Sequence, residues 1–149
     1  MKQTFYQELL KELRSLLVGE EDLIANLSNT VALLKEKTGH HWIGYYLVKG
    51  EELVLGPFQG PVACTRIKWG KGVCGTSWKE EKTYLVPDVE EFPGHIACSS
   101  LSRSELVVPL WKNNQIIGIL DIDSAHLNAF DAVDKEYMEA VNMVVSAAI

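Results

Sequence analysis

The chain has 149 residues, of which 47% are hydrophobic and 23% charged, and carries a formal net charge of −6. This size and balance fit one globular domain over residues 1–149 with a proper core. The negative charge, with no basic patch among aromatics to offset it, argues against nucleic acid as a partner. No apolar run approaches a membrane span, and the opening M-K-Q-T-F-Y-Q-E-L-L has neither a long apolar stretch nor a small-residue cleavage site. No membrane partner, no signal peptide and a cytoplasmic location are therefore expected.

Phe5, Tyr6, Leu9, Leu10, Leu13, Leu16 and Leu17 recur at helical spacing until Gly19 breaks the pattern. Leu23, Ile24, Leu27, Val31 and Leu34 make the apolar stripe of a second helix, closed by Thr38 and Gly39. The period then changes. Residues 41–48 (H-W-I-G-Y-Y-L-V) are aromatic and β-branched, as strands prefer, and residues 53–59 pair back after a turn. From Gly60 to about Leu101 the patterning is irregular, with a short strand near 65–67 and a short helix over 75–82. A segment that long with so little regular pattern is more often functional than idle. Residues 105–110 and 115–123 form a hairpin about a turn at 111–114. A last helix starts near Asp131, its cap, and buries Val133, Tyr137, Val141, Val144 and Ala148. The order predicts an α+β fold: one antiparallel sheet, the N- and C-terminal helices packed on one face, and a loop-rich ligand pocket on the other.

Two features carry chemistry. All three cysteines, Cys64, Cys74 and Cys98, stand in the irregular middle among glycines, prolines and polar residues, where a thiolate can be solvated and approached. Cys74 also stands where a short helix opens, a position that can stabilise a thiolate. Pairing Cys64 with Cys98 requires the fold to close a long loop, which nothing local in the sequence settles. The second feature is the strand I-I-G-I-L-D-I-D-S. Alternation puts Ile117, Ile119, Asp121 and Asp123 on one face, which starts apolar and ends acidic, like the floor of a half-closed cavity. The hairpin turn brings Glu105 opposite Asp121 or Asp123. Acids crowded in an apolar site resist ionisation, so one can keep a proton and act as a general acid while another binds an ammonium group. The plainer alternative is that the two aspartates cap a strand end.

Rival chemistries lack their residues. There is no C-x-x-C, and His95 with Cys98 makes a single H-x-x-C pair without a second, so no metal is expected; nor is there a nucleophile elbow, a P-loop or a dinucleotide fingerprint. His40, His41, His95 and His126 read as surface or hydrogen-bonding residues. Trp42 can be core, or can offer a pocket an apolar wall.

The phrases W-I-G-Y-Y-L, G-P-F-Q-G-P-V-A-C-T-R-I, G-K-G-V-C-G, F-P-G-H-I-A-C, S-E-L-V-V-P-L and G-I-L-D-I-D-S together resemble the free methionine-(R)-sulfoxide reductases of the GAF-domain superfamily. The resemblance implies a six-stranded GAF sheet, usually in a homodimer. It implies reduction of free L-methionine (R)-S-oxide, with thioredoxin as the recycling reductant and no cofactor. By position it makes Cys98 the attacking cysteine and Cys64 the resolving one, with Cys74 a possible auxiliary thiol. It places Glu105 and Asp123 with the catalytic groups. It gives the substrate pocket Trp42 as an aromatic wall and Asp121 among its acids; the mechanism these residues suggest adds Tyr46, sets Asp121 to hold the ammonium group and, with no arginine aimed at the carboxylate, leaves that to the backbone N–H groups of Ile96, Ala97 and Cys98. The alternative in a different class is a GAF sensor module that binds a small ligand without chemistry, although an acidic pocket suits a phosphate poorly.

Overall fold

A computed structural model describes residues 1–96, Cys98 and residues 101–149. Helices α1 (Lys2–Leu17) and α2 (Leu23–Thr38) lead into strands β1 (Trp42–Lys49), β2 (Glu52–Gln59) and β3 (Arg66–Lys68). Helix α3 (Gly72–Glu80) and strand β4 (Tyr84–Val86) follow, then β5 (Ser104–Lys112), β6 (Gln115–Ser124) and α4 (Ala132–Ala148). The strands form one antiparallel sheet in the order β3-β2-β1-β6-β5-β4. No described helix is long and apolar enough to cross a membrane.

The ends of the helices follow from local chemistry. Asp22 accepts from Ala25 N at 2.9 Å to start α2, and Gly39, at φ 68°, ends it in the left-handed conformation. Asp131 and Asp134 form a reciprocal capping box on α4, as the sequence indicated for Asp131. Asn113 and Asn114 both take positive φ, which sets the two-residue turn between β5 and β6.

Helices α1, α2 and α4 cover one face of the sheet, burying Leu13, Leu27, Leu34, Ile43, Tyr45, Leu106, Leu120, Ile122 and Val141 in one core. At roughly 1.5–3 kcal/mol for each large apolar side chain, this layer dominates the favourable side of folding. Two polar clasps fix its geometry. Buried Asn142 of α4 donates to the carbonyls of Val108 (3.1 Å) and Pro109 (3.0 Å) and accepts from the Tyr45 hydroxyl (2.7 Å). Tyr6 donates to Asp134 at 2.5 Å, which ties α1 to the start of α4.

The structure departs from the sequence reading in several places. On α4 the buried apolar residues are Met138, Val141 and Val145, while Val133, Tyr137, Val144 and Ala148 pack only partly buried at the edge of the core. Phe5, Leu16 and Ile24 are exposed, because α1 and α2 each bury only a stripe narrower than their apolar residues allow. Helix α3 starts at Gly72 rather than 75, and β4 lies unforeseen in the irregular middle. Finally, Ile117 does not share the acid face. Leu110 pairs with Gly118 and Trp111 with Ile116, so Ile117 is an extra residue in a bulge. The bulge turns Ile117 toward the helix layer and Ile116 toward the opposite side.

Candidate active site

Alternation along three central strands builds the floor of the pocket opposite the helices. Trp42 pairs with Asp123, which pairs with Glu105, so these three residues form one row across β1, β6 and β5. The next row on the same face is Gly44, Asp121 and Val107, and the one after it is Tyr46, Ile119 and Pro109. The intervening residues Ile43, Ile122 and Leu106 face the helices. Three carboxylates therefore meet on adjacent rungs, and Glu105 is directly opposite Asp123, one of the two partners the hairpin allowed.

Helix α3 and the described loop residues Val62, Ala63, His95, Ile96, Cys98 and Ser102 line the pocket from above the sheet; it holds about 540 Å³ of space, part of it open to solvent. Its lining includes Trp42, Tyr46, Cys74, Glu105, Asp121 and Asp123, together with His95, Ile96 and Cys98. Ile96 is exposed at the mouth. Ala97 lies outside the described residues. The Cys98 N–H donates to the Ile96 carbonyl at 3.1 Å, so in this state it is occupied within its own turn. His95 and Ser102 line the pocket although neither was singled out for it from the sequence; the H-I-A-C phrase held the signal for His95.

The aromatic wall is a stack. Trp42 packs face to face with Tyr46 (5.9 Å between centroids) and Phe58 (5.3 Å). Gly44 makes this possible: a Cβ there would lie 2.5 Å from both the Trp42 ring and Phe58 Cβ. Gly44→Ala is expected to push Trp42 off the wall and cost about 1–3 kcal/mol. At about 2–4 °C per kcal/mol for a chain of this size, thermal unfolding would register the loss, and an unchanged midpoint would refute the packing argument. The wall also carries the Cys64 loop. Trp42 Nε1 donates to the Pro61 carbonyl at 3.0 Å, and the Tyr46 hydroxyl donates to the Cys64 carbonyl at 2.8 Å.

Cys64 and Cys98 form a disulfide, their Cα atoms 5.4 Å apart although 34 positions separate them in sequence. Cys74 is free and buried. The expectation that all three thiols are open to approach fails at this residue. The first turn of α3 points Cys74 inward, and burial, then the charges of Asp121, Glu105 and Asp123, push its thiol well above the usual range. Those effects oppose any thiolate stabilisation from the helix N-terminus.

Burial also raises all three carboxyls. Glu105 rises well above the ordinary carboxylate range, first through burial and then through Asp121 and Asp123. Asp123 rises well above it too, by burial and then Asp121. Asp121 rises less, because hydrogen bonds from Glu105 and Cys74 support its anion. The cluster therefore retains protons where isolated acids would not. Asp121 is 6% exposed, and its Oδ1 has no hydrogen-bond partner among the described residues. No Lys or Arg is among the described residues lining the pocket. A buried carboxylate oxygen without a partner is costly and suits a cationic ligand group.

A six-stranded antiparallel sheet with helices on one face and a pocket under loops on the other is a GAF architecture, and the GAF domain family matches residues 22–149. The chain is 58% identical over 141 residues to GAF domain-containing protein A of Dictyostelium discoideum, covering 94% of this chain and 89% of that protein. It is 47% identical over 136 residues to the free methionine-R-sulfoxide reductase of Escherichia coli, covering 91% of this chain and 82% of that one. The crystal structure of the Neisseria meningitidis free methionine-R-sulfoxide reductase in complex with its substrate superposes with a TM-score of 0.97 at 49% identity, covering 99% of this chain and 90% of that one. The chain belongs to the GAF domain family and, within it, to the free methionine-R-sulfoxide reductases.

Proposed function

We propose that the protein reduces free L-methionine (R)-S-oxide to methionine, with Cys98 as nucleophile and Cys64 as resolving thiol. The observation that carries this reading is the joining of Cys64 and Cys98 beside a pocket floored by Asp121 and by two carboxyls, Glu105 and Asp123, that burial holds well above the ordinary range. In the reduced protein the Cys98 thiolate attacks the sulfoxide sulfur. Glu105, with Asp123, supplies the proton that the sulfoxide oxygen takes up as the sulfur–oxygen bond weakens. Methionine leaves, and the oxygen remains on Cys98 as a sulfenic acid. The Cys64 thiol then attacks Cys98, expelling water and forming the disulfide. A thioredoxin dithiol is oxidised as it restores both thiols. The Cys74 thiol is buried and stays outside this exchange, as an auxiliary donor to Asp121.

Substrate selection follows from the same pocket. The partnerless Asp121 Oδ1 receives the substrate ammonium. The Trp42 face takes the methyl group and Tyr46 supports that ring, while the backbone around Ile96 and Ala97 takes the carboxylate. A peptide-bound methionine lacks the free ammonium, leaving Asp121 unpaired and the substrate rejected. The same reading treats the chain as one domain acting as a cytoplasmic homodimer. Packing of α1 into the shared core supports including the residues before the GAF match. Thiol titration tests the proposal. Adding free methionine sulfoxide to the reduced protein is expected to consume two of the three thiols, whereas a non-catalytic sensor would lose none. Equal thiol loss with a peptide containing methionine sulfoxide would overturn the selection argument.

A further inference from the structure

Cys74, Glu105 and Asp121, which the reductase reading takes one at a time, also form a single compact donor cluster. It draws one ligand from each of three elements: Cys74 from α3, Glu105 from β5 and Asp121 from β6. A sulfur from the first and a carboxylate oxygen from each of the others all lie within 4.8 Å of one another. All three side chains are buried, at 4%, 6% and 6% exposure. Within this cluster Asp121 Oδ1, the oxygen offered to the substrate ammonium, is buried in the pocket without a hydrogen-bond partner among the described residues, so an ion there would compete with the substrate for it. His95 lines the same cavity but lies outside this close group. Because Cys74 is outside the disulfide, this donor set persists when Cys64 and Cys98 are joined.

We propose that this cluster is a site for a thiophilic divalent cation of the zinc class, held by the Cys74 sulfur and by one oxygen each of Glu105 and Asp121, where the ion blocks the substrate pocket. The donor chemistry selects the ion. Zinc takes sulfur at about 2.3 Å and carboxylate oxygen at about 2.0–2.2 Å in tetrahedral sites, which lets three protein ligands and one water complete the shell. Magnesium and calcium require oxygen shells of six or more and gain nothing from a sulfur. The paired strands β5 and β6 hold the two carboxylates on one face of the sheet and α3 sets the sulfur over them, so small side-chain movements are enough to close the ring around the ion. The ion would neutralise the Asp121 oxygen that otherwise has no partner, and would do so with the protein in either redox state.

The test uses the disulfide form of the protein, stripped of metal and titrated with cadmium alone. Cadmium shares zinc's ligand preference and shows an ultraviolet sulfur-to-metal charge-transfer band. The band is expected to appear, to saturate at one ion per chain, to be displaced by zinc and to survive excess magnesium. Cys74→Ser is expected to abolish it. Glu105→Gln and Asp121→Asn retain the thiol, so they are expected to keep the band but weaken binding roughly tenfold or more, with folding checked by circular dichroism. No band in the wild-type protein, undiminished affinity in both carboxamide variants, or displacement by magnesium would each overturn the proposal. No substrate is present, so a negative result leaves the reductase reading untouched, and a failure of that reading leaves the ion site standing.

Discussion

Replacing Cys98 by Ser is expected to abolish methionine release from the free sulfoxide, by roughly 10³-fold or more, because a hydroxyl is neither ionised nor a soft nucleophile near neutral pH. Cys64→Ser is expected to behave differently. The first equivalent of methionine is released, Cys98 is left as a sulfenic acid, and turnover then stalls for want of a partner thiol. Cys74 does not rescue it, since its thiol is buried at 4% exposure and held well above the usual range by burial and three acids. Single-turnover methionine release, with a sulfenic-acid trap to tag the protein, separates the two variants. Sustained turnover by Cys98→Ser, or an unaltered steady state in Cys64→Ser, would reverse or dissolve the assigned roles.

Glu105→Gln is expected to lower kcat by about 10²–10⁴, the usual contribution of a positioned proton donor. It is also expected to make the protein more stable at neutral pH. The native state holds Glu105 well above its ordinary range, so the folded protein binds that proton more tightly than the unfolded chain. Stability from this group is therefore fully present at acidic pH and is lost as pH rises from the ordinary carboxylate range through the raised one. A carboxamide cannot ionise, so the variant should unfold at a higher temperature than the wild type at neutral and mildly alkaline pH. Below the ordinary carboxylate range the two should converge. The gain is read as a rise in Tm that grows as pH increases from the ordinary carboxylate range. A rate loss together with a stability gain distinguishes a proton donor held in a costly state from a structural residue, whose removal lowers both. A destabilised variant at pH 7 and above would contradict the assignment.

Much of the site was legible because it rests on strand periodicity. The positions of Asp121 and Asp123 in one alternating run, and the short turn that contains Asn113 and Asn114, were enough to bring Glu105 across from one of the two acids, and the strand register makes that partner Asp123. The capping of α4 by Asp131 was equally local. What stayed hidden depends on tertiary contact. A strand of three residues, Tyr84–Val86, is too short to show a period and exists because β5 offers it an edge. The bulge at Ile117 cancels the alternation that otherwise located the acids correctly. Cys74 looked accessible among glycines, but the roll of α3 against the sheet, which no spacing reveals, turns it inward. Gly44 gave no sign that its missing Cβ leaves room for the Trp42 ring, because that vacancy is shared between two strands. The Cys64–Cys98 pair followed only from family resemblance, since a sequence separation of 34 leaves the closure of that loop to the whole fold.

The most direct measurement is mass spectrometry on the fully reduced chain after one equivalent of oxidised free methionine, with the linked peptides mapped. The account predicts one released methionine per chain, a loss of two hydrogens from the protein and a single bridge between Cys64 and Cys98, with Cys74 recovered as a free thiol. A bridge through Cys74, or a chain of unchanged mass beside unreacted sulfoxide, would contradict it.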